Sequence, residues 1–161
     1  MSGRVEGFEP CYFADSRVLI LGSFPSVRSR AQGFYYGNPQ NRFWRTVCGF
    51  FGEDVPTDIA CKRDFLRRRR IALWDVVTAC EIDGSSDASI RGAELADVAA
   101  LVRRVPVEAV LCNGKTAYSL LLRTGMPPVR TVCMPSTSPA NPRFSQAAWQ
   151  EELLRIFGER T

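Results

Sequence analysis

The stretch Val18-Leu19-Ile20-Leu21-Gly22-Ser23-Phe24-Pro25-Ser26 decides the fold. The apolar run from Val18 to Leu21 predicts a strand that is buried on both faces. Glycine, proline and serine follow it directly and predict a tight polar turn at the end of the strand. A buried strand that ends in a polar turn indicates a sheet whose edge carries a binding site.

Three further apolar runs predict strands, namely Ile71 to Trp74, Val107 to Cys112 and Val129 to Met134. Helical patterns run from Asn41, which is a good N-cap residue, to Phe51, from Thr57 to Arg69, from Glu94 to Arg104, from Lys115 to Arg123 and from Ser145 to Phe157. The segment from Glu81 to Arg91 has the composition of a flexible loop. Alternating strands and helices predict an α/β fold of three layers, α/β/α, with a central four-stranded parallel sheet in a single domain that spans residues 1–161.

Composition excludes several classes of function. The 161 residues contain no histidine, which removes the usual general base and every Ser-His or Cys-His pair. The six cysteines form no CxxC pair, which argues against zinc, iron–sulfur and thioredoxin-type sites and favours buried free thiols. We therefore predict that the protein needs no metal and no cofactor, and that its chemistry depends on carboxylates, amides or the backbone.

The balance of charge and hydropathy bears on partners and location. The net charge is +4, and the basic residues are all arginine except Lys62 and Lys115. This mild basicity is compatible with nucleic acid, although many small proteins are basic for other reasons. Because the sequence shows neither a signal peptide nor an apolar stretch of membrane-spanning length, we expect a cytoplasmic protein without a membrane partner. The Arg67 to Arg70 run is typical of a helix C-terminus rather than a DNA tether.

The loops that follow the predicted strands begin at Gly22, Asp75, Asn113 and Pro135. Because ligands bind at the carboxyl ends of parallel strands, we expect these loops to meet at one site. Asp75 is the only acid at a predicted strand end, so it is a candidate general base, or else a residue of a loop hydrogen bond or helix cap. The Tyr35 to Trp44 block adds the aromatic and amide groups that hold a flat heterocycle beside a sugar or phosphate.

Five motifs follow one another along the chain. They are Gly22-Ser23-Phe24-Pro25-Ser26, Tyr36-Gly37-Asn38-Pro39-Gln40-Asn41-Arg42-Phe43-Trp44, Leu73-Trp74-Asp75-Val76, Asn113-Gly114-Lys115-Thr116-Ala117-Tyr118 and Pro135-Ser136-Thr137-Ser138-Pro139-Ala140-Asn141. In this order they resemble the uracil-DNA glycosylase superfamily. They are most similar to its hypoxanthine (deoxyinosine) branch, which is related to the mismatch-specific uracil-DNA glycosylases. The resemblance extends from about Arg17 to Trp149.

The resemblance implies a DNA repair enzyme that flips a deaminated base out of the helix and lets water attack C1′ of its sugar. In the superfamily, the first motif carries an acid or amide that positions this water, whereas this chain has Phe24. The hypoxanthine branch implies that Asn41 takes this role, with Asp75 as the alternative catalytic residue. Read without the resemblance, Asn41 is only a helix cap.

The resemblance also implies how the substrate is held. Tyr36 would stack on the flipped base, and a monomer would bind DNA that contains such a base. The other residues expected to bind the base are Gly22, Ser23, Phe24, Pro25, Ser26 and Asn113, and those expected to bind the DNA backbone are Lys115, Ser136, Thr137, Ser138, Pro139 and Asn141. Taken singly, the aromatic residues are more typical of a core than of a ligand contact, and the Pro135 loop is as typical of a surface turn.

Deoxyinosine, which releases hypoxanthine, is the expected substrate, but other functions stay open. One is a glycosylase directed at uracil or xanthine, and another is a lesion-binding protein of weakened activity. A nucleotide-binding domain is a third, because Gly114-Lys115-Thr116 is half of a P-loop. The complete P-loop needs a glycine where this chain has Ala109, which opposes that third interpretation.

Overall fold

The computed structural model describes residues 3–158, so the outer ends of the predicted domain lie outside the described residues. Its strands are β1 (Arg4–Glu6), β2 (Val18–Gly22), β3 (Ile71–Asp75), β4 (Val77–Glu81), β5 (Arg91–Leu95), β6 (Ala109–Asn113) and β7 (Arg130–Met134). Its α-helices are α1 (Val27–Gln32), α2 (Phe43–Phe50), α3 (Ile59–Arg69), α4 (Val98–Arg104), α5 (Lys115–Thr124) and α6 (Gln146–Phe157).

The central sheet has four parallel strands, as predicted, and their order is β3-β2-β6-β7. The register places Gly22 beside Asp75, and Asn113 beside Met134, so the predicted loops leave the sheet at one edge. Residues of β2 are buried throughout, which explains their continuous apolar pattern.

Helices cover both faces of this sheet. On one face, α2, α3 and α6 pack around Phe43, Phe65 and Trp149, whose side chains are fully buried. On the other face, α4 and α5 pack against the alternate residues of the same strands through Leu101 and Leu121. The predicted three-layer α/β/α class is therefore confirmed.

A second sheet was not predicted. Strands β1, β4 and β5 form an antiparallel sheet in the order β1-β4-β5. The sequence predicted a helix from Glu94 to Arg104, but β5 ends at Leu95 and α4 begins only at Val98, where the Asp97 side chain accepts a hydrogen bond from the Ala100 amide. The prediction was wrong because Leu95 pairs with Val77 of β4 and packs against the second face of the core, a tertiary contact that overrides the local helical pattern.

Smaller differences concern helix ends and side chains. Helix α3 is capped by Asp58 rather than Thr57, and α1 was missed because it has only 6 residues. Arg68 and Arg69 at the end of α3 form ion pairs with Glu53, which supports the structural interpretation of this run. All six cysteines are free, but Cys61 and Cys133 are exposed rather than buried. None of the helices within residues 3–158 has the length and apolar character needed to cross a membrane.

Candidate active site

A cleft of about 860 Å³ opens at the carboxyl ends of the parallel strands. Every residue that the sequence predicted for the site lines it, because the strand register brings the four loops together. These residues are Gly22, Ser23, Phe24, Pro25, Ser26, Tyr36, Asn41, Asp75, Asn113, Lys115, Ser136, Thr137, Ser138, Pro139 and Asn141. Their individual roles stay predictions, but their convergence on one cleft is a property of the fold.

Tyr36 lies in the cleft wall with an unusual backbone. Its φ of 55° is in the left-handed region, which non-glycine residues rarely adopt. One face of its ring stacks on Phe43, with centroids 4.2 Å apart and planes 22° apart. The buried hydroxyl lacks a partner of good hydrogen-bond geometry among the described residues. Burial and the Asp75 carboxyl raise the pKa of Tyr36 well above its usual range, although the nearby Asn113 amide acts in the opposite direction.

Asp75 is the last residue of β3 and is only 4% exposed. Its Oδ2 atom has no hydrogen-bond partner among residues 3–158. Burial, and secondarily the charge of Asp87, raise the pKa of the Asp75 carboxyl to about 7. A carboxyl with this pKa is present in both protonated and ionised forms near neutral pH, so it is suited to donate or accept a proton.

Gly22 allows the Asp75 and Tyr36 side chains to approach the backbone of β2. A methyl group at Gly22 would collide with Asp75 Oδ1 and would lie 3.2 Å from the Tyr36 hydroxyl. The absence of a side chain is therefore required here for packing rather than for backbone conformation. The three residues together form the deep end of the cleft.

Asn41 begins the turn into α2, and its Oδ1 atom accepts a hydrogen bond from the Phe43 amide at 2.9 Å. The cap interpretation is thus correct in substance, although Arg42 occupies the N-cap position itself. A carbonyl oxygen has two lone pairs, so one remains for a water molecule after this bond is made. Asn41 is half-buried and lies nearer the mouth of the cleft than the fully enclosed Asp75.

Asn113, at the end of β6, forms hydrogen bonds to Thr137 with both the nitrogen and the oxygen of its side-chain amide. Its Nδ2 donates to Thr137 Oγ1 at 2.9 Å, and its Oδ1 accepts from the Thr137 amide at 2.9 Å. The contact of Asn113 with the substrate stays a prediction. The pair fixes the loop after β7 against the sheet.

The loop from Pro135 to Asn141 is also fixed from the side of α2. The Arg42 amide donates to Thr137 O at 3.0 Å, and the Arg42 guanidinium donates to Ser138 O and Asn141 O. The Asn141 side chain closes the loop by donating to Ser136 O at 2.9 Å. These bonds make a rigid loop whose remaining hydroxyl and amide groups border the cleft.

Helix α5 begins at the cleft without a side-chain cap. Its N-cap is Gly114, whose φ of 108° excludes most other residues, and Lys115 and Thr116 follow it along the cleft wall. The uncapped amides of a helix N-terminus favour anions. Arg143 also lines the cleft, although the sequence did not predict it as a site residue. It lies beyond the last motif, and only the folding of the loop places it at the cleft.

The aromatic wall is smaller than expected. Phe24 lines the cleft but is only 8% exposed and packs mainly against the second face of the core. Tyr35 also lines it, while its hydroxyl donates to Glu9 O at 2.8 Å. Tyr36 is therefore the aromatic residue with the largest free surface in the wall.

The segment from Asp83 to Ser89 forms one side of the cleft through Ser85, Ser86 and Asp87. The sequence predicted that this segment is part of a flexible loop from Glu81 to Arg91. No local pattern reveals the hydrogen bond that Asp87 accepts from the distant Ser23. Within residues 3–158, no group of three or more histidine, cysteine, aspartate or glutamate side chains is arranged to hold a metal ion.

Comparisons with known proteins agree with this geometry. The family profile described as the uracil DNA glycosylase superfamily matches residues 10–156. The chain is 41% identical to the hypoxanthine DNA glycosylase of Methanosarcina acetivorans over 87% of this chain and 90% of the relative. It is 33% identical to that of Methanosarcina barkeri, over 94% of this chain and 99% of the relative. A solution NMR structure of a candidate uracil DNA glycosylase from M. acetivorans superposes with a TM-score of 0.80 at 34% identity, over 96% of this chain and 99% of that one.

Proposed function

The chain belongs to the uracil DNA glycosylase superfamily, and from this premise we propose that it is a DNA repair glycosylase that releases hypoxanthine from deoxyinosine. The observation that carries the proposal is the cleft, which joins a deep end suited to a flat base with a mouth suited to phosphate. The names of the two curated relatives support hypoxanthine as the base.

The deep end receives the extruded base. A glycosylase must take its target nucleotide out of the stack and hold it against aromatic and apolar surfaces. The Tyr36 ring offers its free face for this purpose, since Phe43 supports the other face. The turn from Gly22 to Ser26 encloses the opposite side of the base.

We assign the attacking water to Asn41. Asn41 lies beside the rigid loop that engages the DNA backbone, because the amide of the next residue, Arg42, donates a hydrogen bond to Thr137 O. A water on the second lone pair of Asn41 Oδ1 is therefore close to the sugar, where C1′ develops positive charge. An amide has no useful pKa, so its contribution is to orient the water and to stabilise charge as a fixed dipole.

Asp75 has a different place in the reaction. It is enclosed beside the Tyr36 hydroxyl, at the end of the cleft that receives the base. In its protonated form it donates a hydrogen bond to the base, which carries negative charge as it leaves. In its ionised form it is the alternative general base for the water.

The mouth of the cleft holds the DNA backbone. The N-terminus of α5, Lys115 and the loop from Ser136 to Pro139 supply amides, hydroxyls and one cation, which suit phosphate oxygens. These groups set the position of the strand, while the deep end selects the base.

The decisive experiment is alkaline cleavage of duplexes that contain inosine, uracil or xanthine after incubation with the protein. We expect abasic product from inosine, loss of that product with Asn41→Ala, and partial retention with Asp75→Ala. Abasic product from Asn41→Ala, together with none from Asp75→Ala, would assign the attacking water to Asp75 instead. Lesion-dependent DNA binding with no abasic product from any duplex would refute the enzymatic proposal.

A further inference from the structure

The segment from Asp83 to Ser89, which connects β4 and β5, is held firmly against the turn that follows β2. Ser23 Oγ donates to Asp87 Oδ1 at 2.8 Å, and the Val27 amide donates to Ser85 Oγ at 2.9 Å. The Arg30 guanidinium donates to Gly84 O at 3.1 Å. Asp87 is therefore a fixed part of the cleft wall rather than a residue of a free loop.

Asp87 is an exposed residue that lines the same cleft as Asp75. Its charge acts on the Asp75 carboxyl, whose buried Oδ2 atom has no hydrogen-bond partner among residues 3–158. The cations that line the cleft, Lys115 and Arg143, follow β6 and β7, on the other side of β2 from Asp75. The cleft thus has an acidic end, formed by Asp75 and Asp87, and a cationic mouth.

We propose that Asp87 acts with Asp75 as a specificity determinant that admits a neutral purine and rejects an anionic one. The inference rests on the proposed glycosylase function and names what the acidic end selects. The accepted base is hypoxanthine, and the rejected base is xanthine.

The two bases differ in one carbonyl group at C2, and this difference changes their charge. The second carbonyl makes a ring N–H of xanthine acidic enough that xanthine in DNA is largely an anion at and above neutral pH, whereas hypoxanthine is neutral. A carboxylate beside the pocket repels the anion, and the repulsion is stronger from the buried Asp75 than from the exposed Asp87. Specificity is often obtained by such a repulsive element as well as by attractive contacts.

The reaction strengthens this discrimination. Each base gains one negative charge as the glycosidic bond breaks. Xanthine is already an anion, so it would approach two negative charges beside the acidic end. Hypoxanthine gains only one charge, which the protonated form of Asp75 offsets by donating a hydrogen bond. The ratio of the two excision rates, rather than either rate alone, therefore reports on the acidic end.

The discrimination should depend on pH. Partial desolvation by the cleft wall raises the pKa of the exposed Asp87 carboxyl, although the hydrogen bond from Ser23 acts in the opposite direction. Burial, followed by the Asp87 charge, raises the pKa of the Asp75 carboxyl to about 7. The other titratable or charged groups around the two acids are Tyr35, Tyr36, Cys80 and Arg30. Arg30 donates to the carbonyls of Pro25 and Gly84, so its hydrogen bonds go to the backbone rather than to either acid. As pH rises, both the acids and xanthine become more negative, and rejection should increase.

The test measures release of hypoxanthine and xanthine from matched duplexes by the wild-type protein, Asp87→Asn and Asp83→Asn. Asparagine at position 87 keeps an acceptor for the Ser23 hydroxyl and removes only the charge. Asp83→Asn changes the net charge equally on the same segment. Both aspartates are exposed, but only Asp87 lines the cleft.

We expect Asp87→Asn to raise the xanthine-to-hypoxanthine rate ratio roughly tenfold at about pH 8 and much less at about pH 6. Asp83→Asn should leave the ratio unchanged. An unchanged ratio in Asp87→Asn, or an equal rise in Asp83→Asn, would overturn the proposal. Absence of hypoxanthine release by the wild-type protein would instead refute the proposed function itself.

Discussion

Asn113 and Thr137 form two hydrogen bonds across the edge of the sheet, both 2.9 Å long. The side-chain amide of Asn113 donates to the Thr137 hydroxyl, and its oxygen accepts from the Thr137 backbone amide. Both residues line the cleft, but Thr137 is only 1% exposed, so its hydroxyl is used within the protein. The two bonds join the carboxyl end of β6 to the loop after β7. The pair thus fixes the position of the loop from Pro135 to Asn141, and it does so through Asn113, a residue that the sequence predicted to bind the base.

This relationship predicts that Thr137→Val weakens DNA binding more than it slows chemistry. Valine removes the hydroxyl but keeps the shape and the backbone bond, so the Asn113 Nδ2 group loses its acceptor. We expect a loss of about 1–3 kcal/mol in the free energy of unfolding, a higher KM and a nearly unchanged kcat. Thr131→Val is the matched control, because its hydroxyl bonds Val129 O away from the cleft. A fall in kcat with KM unchanged would contradict the prediction.

The buried Asp75 carboxyl predicts an unusual pH dependence of stability. Its folded pKa of about 7 lies above its ordinary value of 3.8, so the folded protein binds more protons than the unfolded chain between about pH 4 and 7. The free energy of unfolding should therefore fall as pH rises through this window and then level off.

Asp75→Asn should remove this fall in the free energy of unfolding with rising pH, because asparagine has no charge to bury. We expect the variant to gain up to about 4 kcal/mol relative to wild type above pH 7, with the gain vanishing near pH 4. Thermal unfolding at several pH values measures the difference, with Asp83→Asn as the exposed control. A gain that does not change with pH would show that Asp75 does not titrate in this window.

The sequence predicted the central sheet well, because β2, β3 and β6 are almost entirely buried and have continuous apolar patterns. The edge strand β7 is more exposed and has a weaker pattern. The register of those strands then placed the motif residues together, so the cleft was predictable as well. The antiparallel sheet was not, since the pairing of Leu95 with Val77 depends on contacts between distant segments. Asp87 was missed for the same reason, because only the fold brings it to Ser23.

The roles of single amides were harder to predict than their positions. The sequence indicated that Asn41 and Asn113 belong to the site, and both line the cleft. It did not show that Asn41 Oδ1 also bonds the Phe43 amide, or that both ends of the Asn113 amide bond Thr137. Such bonds depend on side-chain geometry that residue type and spacing do not specify.

The close packing at Gly22 predicts that Gly22→Ala eliminates activity without unfolding the protein. The added methyl group collides with Asp75 Oδ1 and narrows the space beside the Tyr36 hydroxyl. We expect a loss of excision of at least about a hundredfold and a modest loss of stability of about 1–3 kcal/mol. Gly49→Ala is the control, since a methyl group there meets open space. Near-normal excision by Gly22→Ala would show that the base does not enter the deep end.

The cations at the mouth predict a change in the salt dependence of DNA binding. Lys115→Ala and Arg143→Ala should each weaken binding at low salt and reduce the slope of log K against log salt by about one unit. Binding to lesion-containing and undamaged duplexes should weaken to a similar degree, because phosphate contacts carry little sequence information. Arg123→Ala at the far end of α5 is the control. An unchanged slope in both cleft variants would mean that the DNA backbone does not contact Lys115 or Arg143.

The two hydrogen-bonding functions assigned to Asn41 can be separated by substitution. Serine at position 41 keeps an oxygen that can cap the Phe43 amide, but it is too short to hold a water near the sugar. Asn41→Ser should therefore retain nearly wild-type stability and lose excision by about a hundredfold or more. Asn41→Ala should lose the same activity and in addition about 1 kcal/mol of stability, because the cap is also removed. Single-turnover excision and thermal unfolding of the two variants measure these effects independently. Substantial excision by Asn41→Ser would reduce Asn41 to a cap and leave Asp75 as the residue that activates the water.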